Sequence, residues 1–280
     1  MKILITGANG MLGKAIQKEF KSEELICTDS KELDITNYEK TLEYVEKIRP
    51  DYIINCAAYT AVDNAEADEE NAFKVNAIGP KNLAIAAEMN NVVLVHLSTD
   101  YVFSGDKNVE NVYYEEELTE PVTVYGITKL KGEENVKNNC KKYYIFRTAW
   151  LYGDGKNFVR TMINIGRERE EVTVVTDENG SPTYTVDLAS IIHQAMIKNI
   201  PYGVYHATNQ GYTTWYEFAK KIFEIAKINC NVKPITAAEF KRVAKRPKNS
   251  KLSKEKLLKN GVTIPEYEDA LKRYLDEEIR

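Results

Sequence analysis

Two residues, Tyr125 and Lys129, have the types and the spacing for proton transfer to a carbonyl oxygen. They lie four positions apart in YGITK, so a helix would present both on one face. A free tyrosine has a pKa of about 10, and a neighbouring ammonium lowers that pKa by stabilising the phenolate. We therefore expect Tyr125 to exchange a proton with a substrate oxygen while Lys129 lowers its pKa. The same spacing occurs on ordinary amphipathic helices, so this interpretation depends on the rest of the chain.

A glycine-rich segment near the amino terminus, TGANGMLG, has the GxxGxxG spacing of a phosphate-binding loop. A β-branched run precedes it and an apolar helical pattern follows it, which is the context that such a loop requires. A tight turn there exposes the N–H groups at the start of the helix to a diphosphate. Ordinary turns also need glycine, but the flanking strand and helix favour a dinucleotide site. The residues expected to contact the cofactor there are Gly7, Asn9, Gly10, Met11 and Leu12.

The adenosine half of the cofactor is expected where the second predicted strand ends, at Asp29, Ser30 and Lys31. An aspartate about 20 residues past the loop accepts both ribose hydroxyls and favours NADH. The hydroxyl of Ser30 and the ammonium of Lys31 can instead hold the 2′-phosphate of NADPH, so we expect dual use, with an ordinary polar turn as the alternative. Asp34 has a rival role as the N-cap of the next predicted helix. The other residues expected along the cofactor, beside Asp34, are Ile35, Cys56, Ala57 and Ala58.

The elements that would position these residues alternate strand and helix through the first half of the chain. Strands are predicted at residues 2–6, 25–28, 52–55 and 92–97, with helices at 11–20, at 38–48 and before 90. This pattern predicts an α/β fold, a Rossmann-type doubly wound parallel sheet with a smaller C-terminal substrate-binding lobe. A strand at 204–207 is expected to rejoin the first sheet. We therefore assign residues 1–149 and about 184–210 to the nucleotide-binding domain, and about 150–183 and 211–280 to the smaller lobe.

The composition narrows the kinds of partner. The chain of 280 residues has 38 Lys and Arg against 42 Asp and Glu, a formal net charge of −4. That balance gives no global attraction to nucleic acid or an anionic membrane, so a small-molecule ligand is expected. No run approaches the roughly 18 apolar residues of a membrane span, and the start lacks a secretory signal. Four scattered cysteines without close pairs favour a reduced, cytoplasmic protein, and we assign no metal to the three histidines.

Six motifs carry a resemblance that covers essentially the whole chain: TGANGMLG, STDYVF, YGITK, RTAWLYG, GSPTYTVDLA and RPKNSKL. On these motifs the chain resembles the extended short-chain dehydrogenase/reductases, and within them the reductases of dTDP-linked 4-keto-6-deoxyhexoses. The resemblance implies that Tyr125 is the general acid, that Lys129 also orients the nicotinamide ribose, and that Thr99 hydrogen-bonds the substrate oxygen. The implied reaction reduces the 4-keto group of dTDP-4-dehydro-L-rhamnose to give dTDP-L-rhamnose, for surface polysaccharide synthesis.

Substrate contacts are expected from both halves of the chain. By the resemblance, Thr60 and Val62 belong to the signature AAYTAVD, whose groups face the hexose. Tyr101 and Trp150 offer aromatic faces to the apolar face of a deoxysugar, with a core role as the alternative for Trp150. The cations between residues 241 and 254 are typical of a solvated helix face. A guanidinium fork also suits a diphosphate, and we expect Arg246 to bind it.

The resemblance leaves rival functions open, since the same fold hosts 4,6-dehydratases and epimerases. A dehydratase needs an added carboxylate pair beside the threonine, and no Glu follows Asp100. Some relatives are non-catalytic regulatory subunits of adenosylmethionine synthetases, a role that an intact Thr99, Tyr125 and Lys129 argue against. Some members form homodimers around a magnesium ion held by C-terminal glutamates, whereas others are metal-free monomers. Glu277 and Glu278 allow either interpretation, so no magnesium is assigned.

Overall fold

Strands and helices alternate along the chain in the computed structural model, which describes residues 1–278. The strands are β1 (Lys2–Thr6), β2 (Glu24–Thr28), β3 (Tyr52–Asn55), β4 (Val93–Thr99), β5 (Tyr143–Thr148), β6 (Leu151–Tyr152), β7 (Glu171–Val175), β8 (Asn179–Gly180), β9 (Thr183–Tyr184), β10 (Gly203–His206), β11 (Thr213–Thr214) and β12 (Asn231–Ile235). The helices are α1 (Met11–Glu19), α2 (Tyr38–Ile48), α3 (Val62–Ala65), α4 (Glu69–Phe73), α5 (Gly79–Met89), α6 (Val124–Asn139), α7 (Phe158–Glu168), α8 (Thr185–Ile197), α9 (Trp215–Ala226), α10 (Glu255–Lys259) and α11 (Tyr267–Glu278). A single turn of π-helix covers Lys74–Ile78, and a short 3-10 helix covers Asp100–Val102.

Six strands form one parallel sheet in the order β10-β5-β4-β3-β1-β2. The chain leaves β1 toward β2 and then returns to β3 on the other side of β1, so the winding direction reverses between β1 and β3. Ligands of such sheets bind at the carboxyl edge beside this reversal. The predicted Rossmann-type fold is confirmed, and β10 pairs with β5, as expected for the strand near residue 204.

Both faces of the sheet are covered, which explains why all seven residues of β4 are buried. One apolar cluster packs α1 and α8 against the sheet, and a second cluster packs α2, α5 and α6 against the opposite face. Residues 185–206 therefore pack with the main sheet although residues 150–184 separate them from its other strands in sequence. Every helix within residues 1–278 is too short or too polar to span a bilayer.

A further apolar cluster joins α7, α9 and α11 with the two-stranded parallel sheet of β7 and β12. Its buried residues include Tyr152, Phe218 and Tyr274. Except for Tyr184, the buried residues of this cluster fall within 150–183 and 211–280, the ranges predicted for the smaller lobe. Residues 279–280 of that predicted lobe lie outside the described residues.

The basic segment at residues 241–254 is not the helix face that its charge pattern indicates. It is an irregular strap with no helix, fixed by backbone hydrogen bonds from Asn249 to Gly105 and from Ser250 to Asn179. Lys254 is buried in it, and its ammonium lies 3.7 Å from the centre of the Tyr212 ring. Charge counts do not register such tertiary contacts, so the pattern alone predicted the wrong local structure.

Candidate active site

The glycine-rich loop joins β1 to α1 at the reversal of the sheet. Gly7 has φ +65°, a backbone conformation that favours glycine, and a Cβ there would lie 2.7 Å from the Ala57 nitrogen. A Cβ on Gly13 would lie 2.5 Å from the Gly7 carbonyl oxygen, so α1 begins tightly against the turn. Gly10 is the N-cap of α1, and no side chain caps this helix. The N–H groups at its start are therefore available to an anion, and the loop fits a cofactor diphosphate.

The residues expected at the adenosine end of the cofactor lie after β2. One carboxylate oxygen of Asp29 is 3.5 Å from the Asn9 nitrogen, and Ser30 and Lys31 are exposed. Glu32, which the sequence analysis did not single out, accepts a hydrogen bond from the Asp29 nitrogen at 2.9 Å. This end therefore combines two carboxylates, each held by a backbone N–H group, with the exposed ammonium of Lys31.

Two of the residues predicted beside the cofactor have other contacts. The N-cap alternative for Asp34 is wrong, because Asn37 caps α2 and Asp34 instead accepts hydrogen bonds from Thr36. The side chain of Ile35 is buried in the core, where it packs beneath Gly79. Ile35 can therefore meet a cofactor only through its backbone.

Thr99, Tyr125 and Lys129 lie around one cavity of about 410 Å³. Thr99 ends β4, and its hydroxyl donates to Asp100 at 2.9 Å. Tyr125 and Lys129 lie on α6, which begins where the Thr123 hydroxyl accepts a hydrogen bond from a backbone N–H. The predicted helix at YGITK is thus present, and its two functional side chains face the end of β4.

Burial dominates the electrostatics of this cavity. It raises the pKa of Tyr125 to about 12, against a lowering by the Thr99 hydroxyl, while the Asp100 charge raises that pKa further. Burial lowers the pKa of Lys129 to about 8, and the negative charge of Glu133 opposes this change. The expected lowering of the Tyr125 pKa by Lys129 is not found. The Lys129 ammonium instead donates to the Leu97 carbonyl at 2.5 Å.

Two polar residues of the cavity were missed by the sequence analysis as ligand contacts. One carboxylate oxygen of Asp100 and the hydroxyl of Thr148 are buried without a hydrogen-bond partner among the described residues. Burial raises the pKa of Asp100 to about 6. The fold explains why both residues lie in this cavity: Thr148 ends β5, and Asp100 directly follows the end of the adjacent strand β4. A strand end next to Thr99 was the one signal that could have identified them.

A second cavity of about 440 Å³ shares Tyr101 and Trp150 with the first. The Trp150 ring stacks on Trp215 with centroids 3.6 Å apart, and the Tyr101 ring meets the Tyr125 ring edge-on at 5.5 Å. Trp150 therefore has both a packed neighbour and a surface toward each cavity. The packing role weighed for Trp150 is thus present, and its contact with a sugar stays a prediction.

Arg246 lines the second cavity and forms an ion pair with Asp63 at 2.7 Å. Asp63 also accepts a hydrogen bond from the Ala244 nitrogen, so it fixes the irregular strap at residues 241–254. A second pair in the same wall joins Arg242 to buried Glu178 at 2.6 Å. Arg242 and Arg246 in the wall of the second cavity are therefore each paired with a carboxylate.

The structure brings most of the predicted site residues to the first cavity and leaves some around it. Those that line it are Gly10, Met11, Leu12, Cys56, Ala58, Thr60, Val62, Thr99, Tyr101, Tyr125, Lys129 and Trp150. Those that do not are Gly7, Asn9, Asp29, Ser30, Lys31, Asp34, Ile35, Ala57 and Arg246.

The residues considered as magnesium ligands are engaged in other contacts. Glu277 accepts a hydrogen bond from the Tyr184 hydroxyl at 3.1 Å, and both oxygens of Glu278 accept from Arg160. Within residues 1–278, no group of three or more His, Cys, Asp or Glu is placed to hold a metal ion. The C-terminal glutamates therefore act as partners of α7 and β9.

A parallel doubly wound sheet, a glycine-rich loop at its reversal and a Thr–Tyr–Lys set beside that loop define a nicotinamide-dependent short-chain dehydrogenase/reductase. The sequence model described as "RmlD substrate binding domain" matches residues 1–279. The chain belongs to this family.

Several relatives resemble the chain over nearly their whole length. A dTDP-4-dehydrorhamnose reductase from Aggregatibacter actinomycetemcomitans is 39% identical over 97% of each chain. The crystal structure of a dTDP-4-dehydrorhamnose reductase from Clostridium acetobutylicum is 48% identical, with a TM-score of 0.97 over 100% of both chains. The dTDP-4-dehydrorhamnose reductase from Bacillus anthracis, solved in complex with NADP, is 45% identical, with a TM-score of 0.95 over 99% of this chain and 100% of that one.

Proposed function

We propose that the chain reduces the 4-keto group of dTDP-4-dehydro-L-rhamnose to give dTDP-L-rhamnose, with NADH or NADPH as the reductant. The observation that carries this proposal is the meeting of Thr99, Tyr125 and Lys129 at one cavity, which the glycine-rich loop also lines. Full-length relatives named dTDP-4-dehydrorhamnose reductase support the choice of sugar. The NADP in the Bacillus anthracis relative supports the class of cofactor.

The chemistry requires a proton donor at the carbonyl oxygen. Bound in the cleft, the reduced nicotinamide supplies the hydride that the carbonyl carbon receives. Tyr125 donates its phenolic proton to the oxygen, so no alkoxide accumulates. Its pKa of about 12 keeps the phenol protonated at neutral pH, which is the state that reduction requires. The Thr99 hydroxyl holds the reacting oxygen, and the Lys129 ammonium holds the nicotinamide ribose beside it.

The sugar would lie against the aromatic pair Tyr101 and Trp150, with Thr60 and Val62 on its other side. The partnerless oxygen of Asp100 is available to accept a hydrogen bond from a sugar hydroxyl. The nucleotide would extend toward the second cavity, where Arg246 exchanges part of its contact with Asp63 for the diphosphate.

The domain division follows from the same arrangement. Residues 1–149 and 184–210 would bind the cofactor, and residues 150–183 and 211–280 would complete the sugar-nucleotide site. Cytoplasmic action is proposed from the four cysteines, all of them free thiols. None of the four pairs with another among the described residues.

The test is oxidation of NADPH and, separately, of NADH with dTDP-4-dehydro-L-rhamnose, followed by nicotinamide absorbance and product identification. Tyr125→Phe should lower turnover by about 10²- to 10⁴-fold while cofactor binding persists. Tyr114→Phe, at an exposed tyrosine, is the matched control and should retain activity. Absence of turnover with either cofactor, from protein that binds one, would refute the reductase proposal and favour the regulatory class.

A further inference from the structure

Behind the reacting residues lies a buried ion pair that the proposed mechanism does not use. Both carboxylate oxygens of Glu133 accept hydrogen bonds from the Arg147 guanidinium, at 2.8 and 2.7 Å. The Ser98 hydroxyl donates to the same carboxylate at 2.6 Å. Side-chain exposure is 0% for Glu133 and 2% for Arg147, so water does not compete for these bonds.

The three residues connect the elements that carry the chemistry. Glu133 lies one helical turn after Lys129 on α6. Ser98 immediately precedes Thr99 on β4 and is the register partner of Arg147 on β5. The Glu133 carboxylate therefore joins the helix that carries Tyr125 and Lys129 to the strand end that carries Thr99.

A buried ion pair of this kind usually adds little to the stability of a fold. Two charges lose their hydration when buried, and apolar residues of similar volume commonly stabilise a core as well or better. A planar fork that binds both carboxylate oxygens does, however, fix distance and orientation. The location directly behind the reacting residues is where such a fixed geometry affects catalysis.

Glu133 is also one of the titratable groups that face Lys129. The groups around the ammonium are Glu133 on its own helix, Cys56 after β3, and His96 and the Leu97 carbonyl on β4. Burial raises the pKa of Cys56 to about 12 and lowers that of His96 well below its usual value, so both are neutral at pH 7. Within this set, Glu133 supplies the negative charge that opposes loss of the Lys129 proton.

We propose that Glu133, held by Arg147 and Ser98, is a positioning residue of the reaction: it fixes α6 against the end of β4 and keeps the Lys129 ammonium charged. This inference rests on the proposed reductase function. Glu133 acts through Lys129 and touches neither substrate nor cofactor.

The test compares the pH profile of kcat/KM for variants of the full-length enzyme with NADPH and dTDP-4-dehydro-L-rhamnose. Glu133→Gln removes the anion and leaves Arg147 unpaired, so the alkaline limb should move to lower pH by about one unit. Arg147→Met leaves Glu133 with only the half-buried Lys137 ammonium, 3.4 Å from its carboxylate, so that limb should stay or move to higher pH. A merely structural pair would lower activity in both variants without moving the limb in either.

Glu134→Gln is the matched control, because Glu134 is exposed on the same helix and pairs with Lys131. Its profile should match that of the unaltered enzyme. The double variant E133Q/R147Q leaves no unpaired buried charge and serves if a single variant does not fold. Its limb should still lie at lower pH than that of the unaltered enzyme. An unmoved limb in E133Q or the double variant, or equal downward shifts in E133Q and R147M, would overturn the proposal.

A second measurement separates this inference from the proposed function. The dissociation constant of NADPH is followed by nicotinamide fluorescence between pH 6 and 10, without sugar nucleotide. Lys129 holds the nicotinamide ribose in the proposed mechanism, so NADPH should bind more weakly once Lys129 loses its proton. As the pH increases, the dissociation constant should therefore begin to rise at a lower pH in E133Q than in the unaltered protein. If the protein binds NADPH but fails to reduce the sugar, the reductase proposal falls while this comparison still tests Glu133.

Discussion

The two ends of the proposed cofactor cleft are built differently. At the catalytic end, Thr99 and Lys129 are buried, with hydrogen-bond partners at 2.9 and 2.5 Å. At the adenosine end, Ser30 and Lys31 are exposed, and the Asp29 carboxylate has one long contact of 3.5 Å. Proton transfer needs one geometry, which burial and hydrogen bonds supply. Recognition of a ribose or its phosphate tolerates adjustable surface side chains, so we expect cofactor choice and chemistry to be separable in this molecule.

The largest expected effect comes from removing the charge at the catalytic end. Lys129→Met should lower kcat by about 10²- to 10⁴-fold, because it removes the ammonium that we propose holds the nicotinamide ribose. Steady-state turnover with both cofactors measures this effect. Lys131→Met is the control, since Lys131 is exposed and pairs with Glu134. A loss confined to one cofactor would contradict the separation of the two ends.

A smaller effect is expected at the loop between the two ends. Gly7→Ala adds a Cβ 2.7 Å from the Ala57 nitrogen in a left-handed backbone conformation, so the turn must shift. The free energy of unfolding should fall by about 1–3 kcal/mol, and NADPH and NADH should lose affinity together. Thermal unfolding and nicotinamide fluorescence measure the two effects.

Gly155→Ala is the control for this loop, because Gly155 also has positive φ but a Cβ there would meet nothing within 4 Å. It separates backbone strain from collision. Equal loss of cofactor affinity in both variants would mean that the contact with Ala57 is unimportant.

The pH dependence should belong to the catalytic end alone. Burial lowers the pKa of Lys129 to about 8, so its ammonium is present below that pH and is lost above it. We expect kcat/KM to be level toward neutral pH and to fall about tenfold per unit above pH 8. The Tyr125 phenol remains protonated in this range, since its pKa is about 12. The profiles with NADH and NADPH should coincide, and limbs that differ between the cofactors would assign the titration to the adenosine end.

The smallest effect is expected from the exposed ammonium at the adenosine end. Lys31→Ala should lower kcat/KM with NADPH by about 3- to 10-fold and leave NADH unchanged, because only NADPH carries a 2′-phosphate on its adenosine ribose. The ratio of the two specificity constants measures it. Lys47→Ala, on the exposed face of α2, is the control. An unchanged ratio in Lys31→Ala would show that another group selects the cofactor.

Features that depend on neighbouring residues in the chain were predicted correctly from the sequence. The strand and glycine turn around Gly7 and the helix that carries Tyr125 are where their motifs indicate, because each is determined by residues near it in the chain. The long helix expected before residue 90 is instead interrupted by the turn of π-helix at Lys74–Ile78. Its buried Asn76 binds both backbone polar groups of Tyr59, a contact between distant segments that no period in the sequence records.

Tertiary packing decided the remaining features of the site. The Asp100 oxygen without a partner and the Glu133–Arg147 pair depend on β4 and β5 lying side by side, with about 50 residues of chain between Asp100 and Thr148. The raised pKa of Tyr125 reflects burial, which the pairing of Tyr125 with Lys129 in YGITK does not reveal. Motifs identified which residues to expect, and packing decided their charge.

The stack of Trp150 on Trp215 has a spectroscopic consequence. The chain contains two tryptophans, and their rings lie 3.6 Å apart in the wall of the second cavity. Tryptophan emission from the native protein therefore originates at one place, the wall that Trp150 shares between the two cavities. Any molecule that enters beside that stack changes its quantum yield or wavelength. The protein thus carries an intrinsic optical reporter of what occupies this part of the cleft, with no label attached.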